Sequence, residues 1–392
     1  MTEDSGGIGE RVATLRRRRG LTQEELAERA GVSVELVRKL EQGRRRSVRL
    51  GTLHCLAHAL DVQTAALFDA PSPMNAGDPG PGVVGIRRAL TPGTATRLEA
   101  EPTVEGLQRS LRGAWDLHRS ADHVVLASVL PNLVDQARYL CEAQPGEASY
   151  HLAANAYHLA ATLLIGVRAE DLALLAADRL QAAAARAGDE ASIARAADTW
   201  AWLFCRQSRL EDAERAALGA ADAIEPRFAT ATPLALAMWC ALLQRGAQVA
   251  ARRDDRDKVR NLLGLTRAAS VRLGGNRDDA WTMTGPTNSA MHEVRAAVDM
   301  GRPREALRIR VPEPDSLPAA WQARHLLDVA HAQYAIKQDT DALSTMRRIE
   351  RITPGWLVYQ GLAREIVRGM LRRYRPGAIP GLTRLATLLG VD

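Results

Sequence analysis

Arg38 and Lys39 are adjacent cations whose heads can grip the O6 and N7 edge of a guanine, and an apolar and an acidic residue stand just before them. Val34 offers a methyl surface for thymine. Glu35 either accepts from the N4 amine of cytosine or simply complements the positive start of a helix. Arginine clusters flank this group at Arg16–Arg19 and Arg44–Arg46. Successive helical residues are about 100° apart, so at most two of Arg16–Arg19 share a face, whereas Arg44–Arg46 follows directly on the candidate reading segment. Between Ile8 and Leu60 there are 12 Arg and Lys against 6 Asp and Glu, while the remainder of the chain holds 40 of each. The whole net charge of +6 therefore lies in this stretch. Charge so confined is the footprint of a phosphate-binding surface. With 49 Arg and only 3 Lys in 392 residues, arginine abundance reflects coding bias; its uneven distribution carries the inference.

Helices must hold these side chains. Ile8, Val12 and Leu15 recur at helical spacing, and Gly20 stops that helix. Thr22 and Glu25 form a capping box for a helix over 23–30, and Gly31 supplies the positive φ of a sharp turn. Ser33 caps a third helix that turns Val37 and Leu40 inward, closed by Gly43, and residues 50–60 read as a fourth apolar-periodic stretch. Two short helices joined by a tight glycine turn, inside a five-helix unit, form the arrangement that seats its second helix in the major groove.

The run LRRRRGLTQEELAERAGVSVELVRKLEQGRR resembles the helix-turn-helix of the xenobiotic-response-element and phage-repressor superfamily, and the resemblance spans residues 8–69. It implies a five-helix, lambda-repressor-like DNA-binding domain over residues 1–69 and double-stranded operator DNA as partner. Gln23 matches the family's phosphate-anchoring glutamine. Ser33, Val34, Glu35, Arg38 and Lys39 belong to the recognition-helix set, of which the last four occupy the positions that meet base edges. Gln42, Arg44 and Arg45 fall where the family contacts backbone phosphates. Arg16 and Glu41 match an internal salt bridge between the first and third helices. Leu36 departs from the polar residue usual at its position and is not assigned a base.

Residues 70–102 contain 6 of the 18 prolines and 5 glycines, so they read as a linker. Gly80, Gly82 and Gly85 formally match the dinucleotide-binding Gly-x-Gly-x-x-Gly pattern, which has meaning only between a strand and a helix. A proline-rich connector is not that setting, and VVGIRRAL instead reads as a short helix lying on one of the two domains.

From 103 to 392 nearly every segment reads as helix. A break followed by an acidic residue and small apolar residues recurs at Glu170, Glu211, Asp257, Glu305 and Asp341, at intervals of 41, 46, 48 and 36. Such a period implies helix pairs stacked into an α-solenoid, similar to tetratricopeptide repeats, with effector-binding and dimerisation roles. Asn155, Trp202, Trp239, Trp281, Asn288, His292 and Arg324 lie on or beside predicted first helices of pairs and are the candidate effector-binding residues; Trp and Asn suit peptide contact. The same residues also suit inter-repeat core and helix caps. In the segment WTMTGPTNSAMHEVRAAVDMG, Thr287 or Asn288 is expected to cap a helix beginning near Ser289.

No phosphate loop, nucleophile elbow or metal motif is present, so no catalytic residue, metal or cofactor is expected. Cys55, Cys141, Cys205 and Cys240 are too scattered for a disulfide framework. The N-terminus lacks a signal region and no run of 18 apolar residues occurs, which predicts a cytoplasmic, nucleoid-associated bacterial protein without membrane partners. The reading is an all-α transcriptional regulator acting as a homodimer on an inverted repeat, with half-sites about 10 bp apart, whose repeats bind a peptide or small-molecule signal. In the alternative, the repeats are an adaptor that recruits a protein partner.

Overall fold

The computed structural model describes residues 8–44, 48, 50–60, 62, 67, 80–91, 98, 100–279, 282–374 and 379–391. The N-terminal head packs four helices: α1 (Ile8–Arg18), α2 (Gln23–Arg29), α3 (Val34–Glu41) and α4 (Leu50–Ala59). Their apolar faces bury Val12, Leu26, Val37, Leu40, Leu56 and Leu60 in one cluster, joined by Leu67. Of the five helices expected in the head these are four; most of residues 61–69 lies outside the described residues.

Within the segment read as a linker, Gly80–Leu90 forms helix α5. Its Val83, Ile86, Ala89 and Leu90 join the large C-terminal core rather than that of the head. The glycines of the dinucleotide-like pattern have a packing reason. A Cβ on Gly82 would lie 2.6 Å from the Ala127 Cβ and 3.1 Å from its carbonyl oxygen, and one on Gly85 would lie 2.9 Å from the Pro131 ring. They let α5 lie close on its neighbour.

The C-terminal part is built of helical pairs: α6 (Val104–Arg119) with α7 (His123–Ala143), α8 (Glu147–Gly166) with α9 (Glu170–Ala187), α10 (Glu190–Arg206) with α11 (Leu210–Ala223), α12 (Pro233–Arg252) with α13 (Arg256–Leu273), α14 (Pro286–Asp299) with the short α15 (Pro303–Ala306), and α16 (Ala319–Ala335) with α17 (Asp339–Ile352). Helices α18 (Gly361–Leu371) and α19 (Leu382–Leu389) close the end over Leu327, Met346, Leu357 and Ile366. The connection inside each pair is the same. One residue takes a left-handed conformation: Ala121, Arg168, Ser208, Asp254, Gly301 and Lys337, with φ between 59° and 69°. The next residue's N–H donates to the carbonyl five positions back, as Asp122 does to Leu117, Ala169 to Leu164 and Gln338 to Gln333. This is a Schellman-type helix end, repeated at intervals of 47, 40, 46, 47 and 36 residues.

The first helices of the pairs form the inner layer. Each packs on the next, and α16 packs back against α6, so the layer closes into a ring. The closure is marked by His118 of α6 edge-on to Trp321 of α16, ring centroids 5.8 Å apart. The inner helix α12 is long and apolar enough to cross a membrane by composition, and it is mostly buried by its neighbours in the fold.

One expectation is corrected in the segment after α13. It is not wholly helical: β1 (Arg277–Asp279) and β2 (Thr282–Thr284) pair antiparallel, with Arg277 opposite Thr284. Helix α14 then starts at Pro286, and the side chain that caps it comes from outside. Asn276 Oδ1 accepts from the Thr287 N–H at 3.1 Å while its Nδ2 donates to Thr287 Oγ1 at 2.7 Å. Thr287 and Asn288 therefore lie inside the helix rather than at its cap.

The head touches the ring through α4. Gly51 lies so close to the last turn of α12 that a Cβ there would be 1.9 Å from the Arg252 carbonyl oxygen.

Candidate nucleic-acid interface

Local capping sets the angle between α2 and α3. The Thr22 hydroxyl accepts from the Glu25 N–H at 3.1 Å, and the Glu25 carboxylate accepts from the Thr22 N–H at 2.7 Å. Gly31, at φ 61°, makes the turn, and the Ser33 hydroxyl accepts from the Leu36 N–H at 3.3 Å to start α3. Val37 and Leu40 then anchor one face of α3 in the core.

A polar bracket locks α3 against α1. Arg16 donates from Nε and Nη2 to the two carboxylate oxygens of Glu41 at 2.7 and 2.8 Å, and from Nη1 to the Leu21 carbonyl at 2.8 Å. Gln23 Nε2 also donates to Glu41, at 2.7 Å. Burial alone would push the Glu41 carboxyl up, but the hydrogen bonds from Arg16 and Gln23 outweigh it and hold the carboxyl below the ordinary glutamate range. The bracket from the first helix to the third matches the expectation for Arg16 and Glu41. The part played by Gln23 was not legible, because its amide is spent on an acid 18 residues away; one N–H of that amide remains for another acceptor.

The opposite face of α3 presents Glu35, Arg38 and Lys39 to solvent. There Lys39 pairs with Glu35 at 3.2 Å and Arg38 with Glu35 at 3.5 Å and with Glu24 at 3.7 Å. Ser33, Gln42 and Arg44 are exposed beside them. Val34 is half-buried and packs partly on the head core, which leaves only part of its surface for a base. Arg45 lies outside the described residues. The exposed set thus combines donors suited to guanine and to phosphate on a helix whose orientation the buried side fixes.

The residues expected to bind an effector separate into two groups. Trp239 is a core residue, its ring edge-on to Phe228 at 5.6 Å. Asn288 is buried and donates to the Met283 carbonyl at 2.8 Å and to Gln244 Oε1 at 3.3 Å, which ties α14 to β2 and α12. Neither lines a groove, because packing and these bonds occupy them. Asn155 is likewise buried, accepting from Trp115 Nε1 at 2.7 Å. Trp202, His292 and Arg324 keep accessible surface and belong to the inner helices α10, α14 and α16. Trp281 lies outside the described residues. Two surface clefts among the described residues, one around Thr103 and Gln136 and one around Arg267 and Glu293, hold none of the expected residues. Among the described residues no group of His, Cys, Asp and Glu is arranged to hold a metal.

A model of helix-turn-helix domains matches residues 8–70, the head just described. Over 60 residues the chain is 45% identical to the uncharacterized HTH-type transcriptional regulator y4dJ of Sinorhizobium fredii; the match covers 77% of that protein and 15% of this chain. No solved structure matches. The capping box, the glycine turn and the exposed basic face of α3 are what such a domain requires, and through its head this chain belongs to the helix-turn-helix transcriptional regulators.

Proposed function

We propose that the protein is a sequence-specific DNA-binding regulator of transcription, acting in the cytoplasm as a homodimer on an inverted-repeat operator. The observation that supports this best is the two-sided α3. Its inner side is fixed by Val37, Leu40 and the Arg16–Glu41–Gln23 bracket, and its outer side offers Glu35, Arg38 and Lys39 to base edges. Ser33, Gln42, Arg44, Arg45 and the remaining N–H of Gln23 position the head on phosphates. A single head buries little surface, so two are needed for useful affinity. The ring is read as a tetratricopeptide-like α-solenoid without catalytic function, which binds a peptide or small-molecule signal with different affinity in DNA-competent and incompetent states. The alternative, an adaptor that recruits a protein partner, draws support from the charge on the inner helices, where Arg245, Asp198, Arg295, Arg324 and Asp328 meet.

The test is capture of sheared genomic DNA on the full-length protein, followed by sequencing. An enriched inverted repeat is the expected result. A motif-free pool at moderate salt would sink the sequence-specific reading.

A further inference from the structure

The inner helices carry charge where stacked helices ordinarily carry small or apolar residues. Arg195 and Asp198 lie one turn apart on α10, Arg245 lies on α12, Arg295 on α14, and Arg324 and Asp328 one turn apart on α16. The faces meet across the layer. Arg245 donates to both oxygens of Asp198 at 2.8 and 3.2 Å. Arg295 and Arg324 share the single carboxylate of Asp328, at 3.3 and 3.4 Å. Arg245 and Asp198 thus form one pair, whereas Arg295 and Arg324 divide one carboxylate between them. The nearby Arg252 and Asp299, 3.6 Å apart, cancel each other.

The surplus shows in unused donors. Arg195 is only 3% exposed, and its Nε and Nη1 have no hydrogen-bond partner. The acid that acts on it, Asp189, is already taken by the His151 ring at 3.0 Å and the Ser192 N–H at 2.8 Å. The Nε atoms of Arg295 and Arg324 are buried and unpartnered as well. Burial lowers Arg195 and Arg324 to about 10, which leaves both charged at neutral pH. Neighbouring histidines supply no compensation of either sign. Burial and adjacent arginines hold His292 down to about 3 and His158 well below its ordinary value, and burial lowers His331 too. Yet 39% of the Arg324 side chain is open to solvent, so this charge borders accessible space.

Unpaired buried charge is destabilising, and such departures from a satisfied interior concentrate at functional sites. Guanidinium donors match the paired oxygens of carboxylates and phosphates. We propose that the interior of the ring binds a small molecule bearing a carboxylate or phosphate group, through the uncommitted donors of Arg195, Arg295 and Arg324. Trp202, whose ring carries the Arg245 guanidinium at 5.2 Å, offers apolar surface for the body of that ligand. The site deepens the reading of the ring as a sensor and rests on it.

The experiment melts the full-length protein in rising inorganic phosphate and, separately, citrate, with sodium chloride at matched ionic strength as control. One of the two anions is expected to give a saturable rise in melting temperature. Arg195→Gln and Arg324→Gln are expected to need at least tenfold more of that anion for the same rise, and Arg324→Lys to recover part of the loss. Without anion, Arg195→Gln should melt at or above the parent, because an uncompensated buried charge has gone; a structural arginine would give a lower melting point. A flat response to both anions, a rise that sodium chloride reproduces, or glutamine variants that respond to the anion as the parent does would overturn the proposal. Capture of genomic DNA reports separately on the regulator reading, so failure of one is distinct from failure of the other.

Discussion

Glu41 holds the reading helix in place, and its bonds make that role dependent on pH. Its folded-state carboxyl lies below the ordinary glutamate value because the bonds from Arg16 and Gln23 outweigh burial. Stability from this group is therefore present in full above the ordinary value of about 4.3 and is lost as pH falls through the lower folded value. Glu41→Gln should cost about 2–3 kcal/mol at pH 7, where it strands Arg16 without its charge partner. Urea melts of parent and variant should converge as the pH drops below the ordinary glutamate range. Arg38 and Lys39 differ in kind. Their pairs with Glu35 and Glu24 are exposed, and such pairs contribute less than about 1 kcal/mol, so they yield readily to a base. Arg38→Ala with Lys39→Ala should erase operator preference, by about 1–3 kcal/mol per lost base contact, and leave salt-sensitive binding to any DNA. Arg44→Ala should weaken all sequences alike. Fluorescence anisotropy with operator and scrambled duplexes separates the two outcomes.

At the scale of elements, the turns inside the helical pairs decide what a sequence reveals. The acidic residues that open the second helices recur visibly because they suit helix N-termini. The left-handed positions before them did not show, since among the six only Gly301 is a glycine. Ala121, Arg168, Ser208, Asp254 and Lys337 take that conformation because each helix pair holds its ends close, at a cost of about 1–2 kcal/mol per residue. Lys337 is exposed, so Lys337→Gly should raise stability by about 0.5–1 kcal/mol after the extra freedom of glycine in the unfolded chain is counted. Calorimetry would show this as a higher melting temperature, and an unchanged or lower one would remove the turn from the account. The short β-hairpin was hidden for another reason: three-residue strands lie below the length at which alternation can be seen. The head was far more legible, because its caps and glycine turn are local signals.

At the scale of the molecule, the inner ring was the least legible feature. Helical spacing shows that Trp239, Asn288, His292 and Arg324 lie on helices; it cannot show which sides meet when α16 returns to α6, a contact between residues some 200 positions apart such as His118 and Trp321. The contact of head with ring was equally hidden, since a glycine at position 51 has no turn to explain it. Gly51→Leu should force α4 off the end of α12. The melting of the head should stay within about 1 kcal/mol of the parent in free energy, as for a change away from its core, while the radius of gyration from solution scattering increases. A head that stays in place would mean that α4 is held elsewhere.

Return of α16 to α6 also bears on how this chain can vary in length. An open stack of hairpins tolerates gain or loss of a unit, because each contacts only its neighbours and a new end simply replaces the old. Here the described pairs meet end to end, and removing one would leave His118 and Trp321 without each other and both flanking helices facing solvent. The number of hairpins is thereby fixed by geometry: relatives that share this closure should differ in their loops and side chains and keep the same copy number.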